Sequence, residues 1–169
     1  MDVLPLITRY YDGCSTGDVE AMTATLHPDV VHYFLAPNVG SAPVVGAEHL
    51  ARYWRKVQAR IEARWVVDHA LVGGSPGGGS PGGGTSDGGT SDEGEAVIEW
   101  TMFWRPPGSD ARVATRGAEW FTVEGGLIRE IRSYYQQREH TTELDAFDYP
   151  GRGYSAPGAE HSSVHRPSG

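Results

Sequence analysis

Two spacings of apolar residues divide this chain. Steps of three and four place Leu6, Ile7, Tyr10 and Cys14 on one stripe of "DVLPLITRYYDGCSTG", with Gly13 and Gly17 as punctuation. A second short helix follows in "TGDVEAM", with Thr16 or Asp18 as its cap and an end near His27-Pro28. Leu50, Tyr53, Trp54, Val57 and Ile61 form the stripe of a third helix in "AEHLARYWRKVQARIEARW". Elsewhere the period falls to two. "DVVHYFL", "WVVDHALVG", "EAVIEWTMFWR", "ARVATRGAEWFTVE" and "GLIREIRSYYQQ" are expected strands, the last three a meander joined by "PPGSD" and the Gly125-Gly126 turn. "APNVGSAPVVG" is expected to be irregular. Helices gathered early and antiparallel strands late predict an α+β domain, with the helices covering one face of a curved sheet.

Between the second and third of these strands lies "GGSPGGGSPGGGTSDGGTSDEGE", low in complexity and without apolar side chains to bury, so residues 74–94 are expected to be a flexible insertion. A phosphate loop is excluded, because no Lys-Ser/Thr pair follows the glycines and no helix opens there. The domain is expected to span 1–137. Residues 138–169 form a tail rich in Gly, Pro, Ser and His, whose "ELDAFDYPGRGY" is expected to pack in part while its end stays loose.

Composition narrows the function classes. The 169 residues suffice for one cored domain, and a formal charge of -8 without a dense Lys/Arg cluster argues against a nucleic-acid partner. The single Cys14 excludes an internal disulfide and a cysteine-rich metal site. No apolar run approaches a membrane span and "MDVLPLITRYYDG" lacks the features of a signal peptide, so a cytoplasmic location is expected. His161 and His165 in "HSSVH" have an i, i+4 spacing but no regular element to fix them, and no metal site is expected. No Ser-His-Asp or Cys-His constellation is recognisable.

Chemistry concentrates on a few positions. Alternation puts Glu119 on one strand face with Val113, Thr115, Gly117, Phe121 and Val123, where a carboxylate is paired, neutralised or used. It is either a pocket acid/base with a raised pKa or an ion-pair partner of Arg132 or Arg112. His32 alternates with Val30 and Phe34, so its imidazole is a candidate base beside Glu119; His69 has a similar alternation. Tyr10 and Tyr11 diverge by about 100 degrees on a helix, so one of them is expected to face the pocket. Phe34, Trp54, Phe103 and Phe121 are candidate pocket walls, and Glu99, in phase with Val97 and Phe103, a second inward acid or a partner of Arg116. On the opposite face, Ala118 and Trp120 with a Trp100, Met102 and Trp104 stripe predict a homodimer surface.

"TRYYDGCSTGDVEAM" followed by "LHPDVV", then "VVGAEHLARYW" and "EWFTVEGGLIREIRSYY", resembles the NTF2-like superfamily, and within it the SnoaL-like group of polyketide cyclases, close to ketosteroid isomerases. The resemblance covers about residues 3 to 137 without the Gly-rich tract. It implies a cone of curved sheet and three helices around an apolar pocket, with acid/base chemistry on a small hydrophobic oxygenated molecule, without metal or organic cofactor, of a kind met in secondary metabolism. It matches Tyr10 to the oxyanion-donating tyrosine of the isomerases, and Glu119 in "RGAEWF" to the acidic position of the cyclases' similar "RG-x-D-x-F". At the isomerases' base position this chain has Phe34, with His32 and Tyr33 nearby. Two function classes follow: an isomerase, cyclase, dehydratase or hydrolase, and a non-catalytic binding or dimeric interaction module of the same fold.

Overall fold

A computed structural model describes residues 2–37, 40–73, 92–137, 142–143, 151–154 and 156. Helix α1 (Leu4–Thr16) begins with a proline in its first turn and ends at Gly17, whose left-handed backbone (φ 73°) lets its N–H close on the Gly13 carbonyl. Of the two expected caps, Asp18 is the one used: its carboxylate accepts from the Ala21 amide at the start of α2 (Val19–Thr23). α2 stops four residues before His27. His27 and Pro28 instead lie in β1 (Leu26–Ala36), because Thr25 turns back onto the Met22 carbonyl and its own carbonyl accepts from Ile128. The segment expected to be irregular contains a two-residue strand, β2 (Val44–Val45), paired with Val31 and His32. α3 (Ala47–Ile61) then crosses the sheet, followed by β3 (Arg64–Gly73), β4 (Gly94–Trp104), β5 (Val113–Glu124) and β6 (Leu127–Tyr135).

The sheet runs β2-β1-β6-β5-β4-β3, antiparallel except for the β1–β6 pair, and β7 (Thr142–Glu143) adds to β5 at Val113 and Ala114. It is curved and unclosed, and the three helices cover its concave face, the α+β cone that the order of periods implies. No helix among the described residues is long and apolar enough to cross a membrane. β3 and β4 stay paired as far as Gly73 and Glu95; residues 74–91 of the Gly-rich tract, like the His161/His165 pair, lie outside the described residues.

Register decides which side chains enter the cone, because neighbours directly across a sheet share a face. Glu119 stands opposite Ile98 on one side and Ser133 on the other, Gly117 opposite Trp100, and Thr115 opposite Met102. This corrects the expected phase of β4. Trp100, Met102 and Trp104 turn inward, while Phe103 and Glu99 lie on the convex face beside Ala114 and Ala118. β4 is apolar in both phases, so alternation alone does not orient it. The partner at Gly117 does: a Cβ there would lie 2.4 Å from Trp100 Cζ2, and only a glycine leaves room for the indole.

On the convex face Phe103 is buried under Tyr154, edge-to-face at a centroid distance of 4.9 Å. The Tyr154 hydroxyl donates to Asp68, which also accepts from Thr101 Oγ1 at 2.6 Å. A bulge between Val67 and His69 brings Asp68 to this side, and His69 pairs with Glu99 there rather than pointing into the core.

Candidate functional site

The cone holds an open-mouthed cavity of about 150 Å³. Phe34 from β1, Tyr53, Trp54 and Val57 from α3, and Trp65 from β3 form one side. Trp100 and Met102 from β4, Glu119 from β5 and Ser133 and Tyr135 from β6 form the other. Six of these ten residues are aromatic, and Glu119 is the one carboxylate among them. The aromatic side is tightly knit: Trp54 meets Tyr53, Trp65 and Phe34 at centroid distances of 5.0, 5.4 and 6.1 Å, each near perpendicular.

Glu119 is 3 % exposed and is held by hydroxyls. Tyr11 donates to Oε2, and Ser133 Oγ donates to Oε1 at 2.5 Å. With Glu119 ionised, Ser133 gives its one proton to the carboxylate and accepts from His32 Nε2–H, and His32 lies 3.6 Å from Glu119 with the serine between them. This fixes the imidazole tautomer and leaves Nδ1 as an acceptor that has no partner among the described residues. His32 is fully buried, stacked on Phe34 at 4.4 Å, and burial lowers its pKa to about 3, so the ring is neutral at physiological pH. Burial raises the Glu119 pKa, and the two hydroxyl donors, which favour the carboxylate, pull it back down.

Several expected site residues sit elsewhere. Tyr10 is buried but does not line the cavity; its hydroxyl accepts from Trp54 Nε1 at 2.7 Å. Tyr11, one residue on, supplies the hydroxyl to the carboxylate, so both tyrosines face the core and the helix phase divides their partners. Phe121 shares the inner face with Glu119 but packs behind it, edge-on to Tyr10 and Tyr11 at 6.3 and 6.0 Å, and is no cavity wall. Phe103 and Glu99 are excluded from the cavity by the phase of β4. Phe34, Trp54 and Glu119 do line it, and His32 reaches it through Ser133. Among the described residues, the hydrogen-bond partners of Glu119 are hydroxyls rather than the guanidinium of Arg112 or Arg132; Arg132 lies 3.2 Å from Glu130.

Sequence reasoning missed Ser133 and Tyr11. For Ser133 a signal existed, since period two from Ile131 to Tyr135 puts this hydroxyl on the buried side of β6. Among the described residues no group of three or more His, Cys, Asp or Glu side chains could hold a metal ion.

Solved structures resemble the fold. A protein of unknown function with a cystatin-like fold from Methylobium petroleophilum PM1 is 32% identical over 97% of this chain and 94% of that one, with a TM-score of 0.55. An LEH-like epoxide hydrolase from M. tuberculosis, 20% identical, covers 79% and 82% at a TM-score of 0.54. A hypothetical protein with a ketosteroid isomerase-like fold from Catenulispora acidiphila, crystallised with trimethylamine, is 15% identical over 78% and 85%, with a TM-score of 0.59. No curated protein matches the chain significantly. The SnoaL-like domain model matches residues 7–131, from within the first helix to the strand that carries Ser133, and the chain belongs to the SnoaL-like domain family.

Proposed function

We propose that this protein is an acid/base enzyme, an isomerase, cyclase, dehydratase or hydrolase, acting on a small hydrophobic oxygenated molecule, with Glu119 as the group that exchanges the proton. The observation that carries this is the setting of Glu119: the one carboxylate in an aromatic cavity, 3 % exposed and held by two hydroxyls instead of a guanidinium. A carboxylate neutralised by arginine is a weak base; one desolvated and only hydrogen-bonded has its pKa moved toward the range where a general base works. His32, neutral and fixed, orients Ser133, and Ser133 with Tyr11 aims the carboxylate. Tyr53 and Tyr135 are the tyrosines that line the cavity, and their hydroxyls are the donors proposed for a substrate oxygen in place of Tyr10.

A small cyclic ketone tests this directly. Wild-type protein is expected to accelerate α-proton exchange of cyclohexanone in D2O, followed by NMR, and Glu119→Gln to reduce that acceleration by about two to four orders of magnitude, the usual contribution of a positioned base. Exchange unaffected by the substitution removes Glu119 from the chemistry.

The second reading, a non-catalytic small-molecule binder, is favoured by one observation: the hydroxyl matched to the isomerases' oxyanion donor is engaged with Trp54. It requires that ligands bind equally to wild type and Glu119→Gln without turnover. In either case the protein is proposed to be a homodimer through the convex face, where Leu71, Val97 and Trp120 lie in one cross-strand row and Leu71 and Trp120 are 75% and 44% exposed. Light scattering at micromolar concentration is expected to give twice the chain mass, and Trp120→Glu to halve it.

A further inference from the structure

We infer that the same cavity binds small organic ammonium ions, methylated amines above all, with Glu119 as counter-ion and the aromatic walls as a cage. Ammonium binding goes beyond proton transfer, sharing with it only the premise that the cavity is a ligand site; an ammonium occupant would compete with a neutral substrate.

The composition of the wall is the first ground. A cavity for neutral hydrocarbon needs only apolar surface, and aliphatic side chains serve as well as rings. Here Phe34, Tyr53, Trp54, Trp65, Trp100 and Tyr135 supply most of the lining. Aromatic faces carry a negative quadrupole that attracts a cation more than it does a saturated neutral guest, and tryptophan, present three times, is the strongest of the three ring types. The lining contains no lysine, arginine or histidine that would repel a cation or neutralise the acid.

The floor is the second. Tyr11 and Ser133 occupy one acceptor site on each oxygen of Glu119. A carboxylate offers about four such sites, so acceptor capacity is left on a group that lines the cavity. Ser133 directs its proton to Glu119 and offers none to a guest. In its ionised form Glu119 is the charged group of the wall, set among the Tyr53 and Tyr135 hydroxyls and the Trp100 indole, and it is complementary to a cation and repulsive to an anion. A buried charge is costly unless paired, and an ammonium in this cavity supplies a cation, of which the lining has none.

Size is the third. A cavity near 150 Å³ is one that elsewhere admits benzene, so it has room for a trimethylammonium headgroup or a single ring.

Choline and its uncharged isostere 3,3-dimethylbutan-1-ol separate charge from shape. In calorimetric or ligand-observed NMR titrations of the full chain, choline is expected to bind at least about tenfold more tightly than the alcohol, since cation–π and ion-pair contacts together exceed the 1.4 kcal/mol that a factor of ten requires. Glu119→Gln is expected to erase this preference, and Tyr53→Leu, at a half-buried helix position, to weaken choline several-fold with little change for the alcohol. Equal or tighter binding of the alcohol to wild type overturns the ammonium inference and leaves the cavity as a site for neutral guests. No binding of either at millimolar concentration overturns both ammonium binding and the cavity's role as a ligand site. The wild-type comparison decides without any variant, so a folding defect in Glu119→Gln does not blunt the test.

Discussion

Ser133 faces Glu119 directly across the β5–β6 register, and its hydroxyl donates to the carboxylate at 2.5 Å while accepting from His32. One serine thus joins a neutral imidazole to an acid and sets the direction of both. Removing it leaves His32 Nε2–H without its acceptor and Glu119 with one donor fewer. Ser133→Ala is expected to cost about 1–3 kcal/mol in denaturant unfolding, the usual penalty for orphaning buried polar groups.

Tyr11 holds the other oxygen, and its donation favours the ionised form of Glu119. Tyr11→Phe removes that support, so the Glu119 pKa rises. A general base must be ionised to act, and the acid limb of the pH–rate profile for cyclohexanone exchange is expected to move to higher pH. Ser133→Ala should move it in the same direction, because Ser133 acts on the carboxylate with the same sign.

His32 makes stability depend on acidity. Its pKa is about 3 in the fold and about 6.5 in the unfolded chain, so between these values the unfolded state binds the proton and the folded state does not. The His32 contribution to stability is complete above about pH 6.5 and is lost as pH falls toward 3, by about 1.4 kcal/mol for each unit of that interval. Burial raises the Glu119 pKa, so Glu119 works the other way: its folded form favours the proton, and its desolvation penalty appears as pH rises above the ordinary carboxylate range. His32→Leu is expected to flatten the loss of unfolding free energy between pH 7 and 4.5, measured by urea denaturation.

Gly117 is needed for space. A methyl group there would meet three atoms of the Trp100 indole at 2.4 to 2.8 Å, and the indole is a cavity wall. Gly117→Ala is expected to destabilise by about 1–3 kcal/mol, as overpacking does, and to weaken guest binding by displacing Trp100. Trp100→Leu on the Gly117→Ala background should recover part of the stability and none of the binding.

β3 and β4 are in register to their ends, Gly73 opposite Glu95, so a two-residue turn can join them. Replacing residues 74–94 by Asn-Gly is expected to change stability by less than about 1 kcal/mol, because loop-closure entropy varies slowly with length. Loss of cooperative unfolding in the shortened chain would assign the tract a structural role.

The succession of elements was legible in the chain because it rests on local physics. Three- and four-residue apolar steps gave α1 and α3, period two gave the five long strands, and Asp18 and Gly17 marked helix ends by cap chemistry that acts within a few residues. The inward directions of Glu119, His32 and Phe34 also followed, since each lies on a strand with one clearly apolar phase. β4 has no such phase, and only the packing of Trp100 over Gly117 decided that Phe103 and Glu99 lie outside. The partners of Glu119 were a matter of tertiary structure for the same reason. Tyr11 is 108 residues away on the first helix, and Ser133 meets it through a register set by the whole sheet, so neither contact is encoded in any short stretch of sequence. Sequence periodicity determined that a carboxylate would be buried; the tertiary arrangement of hydroxyls and rings around it decided what it is buried with.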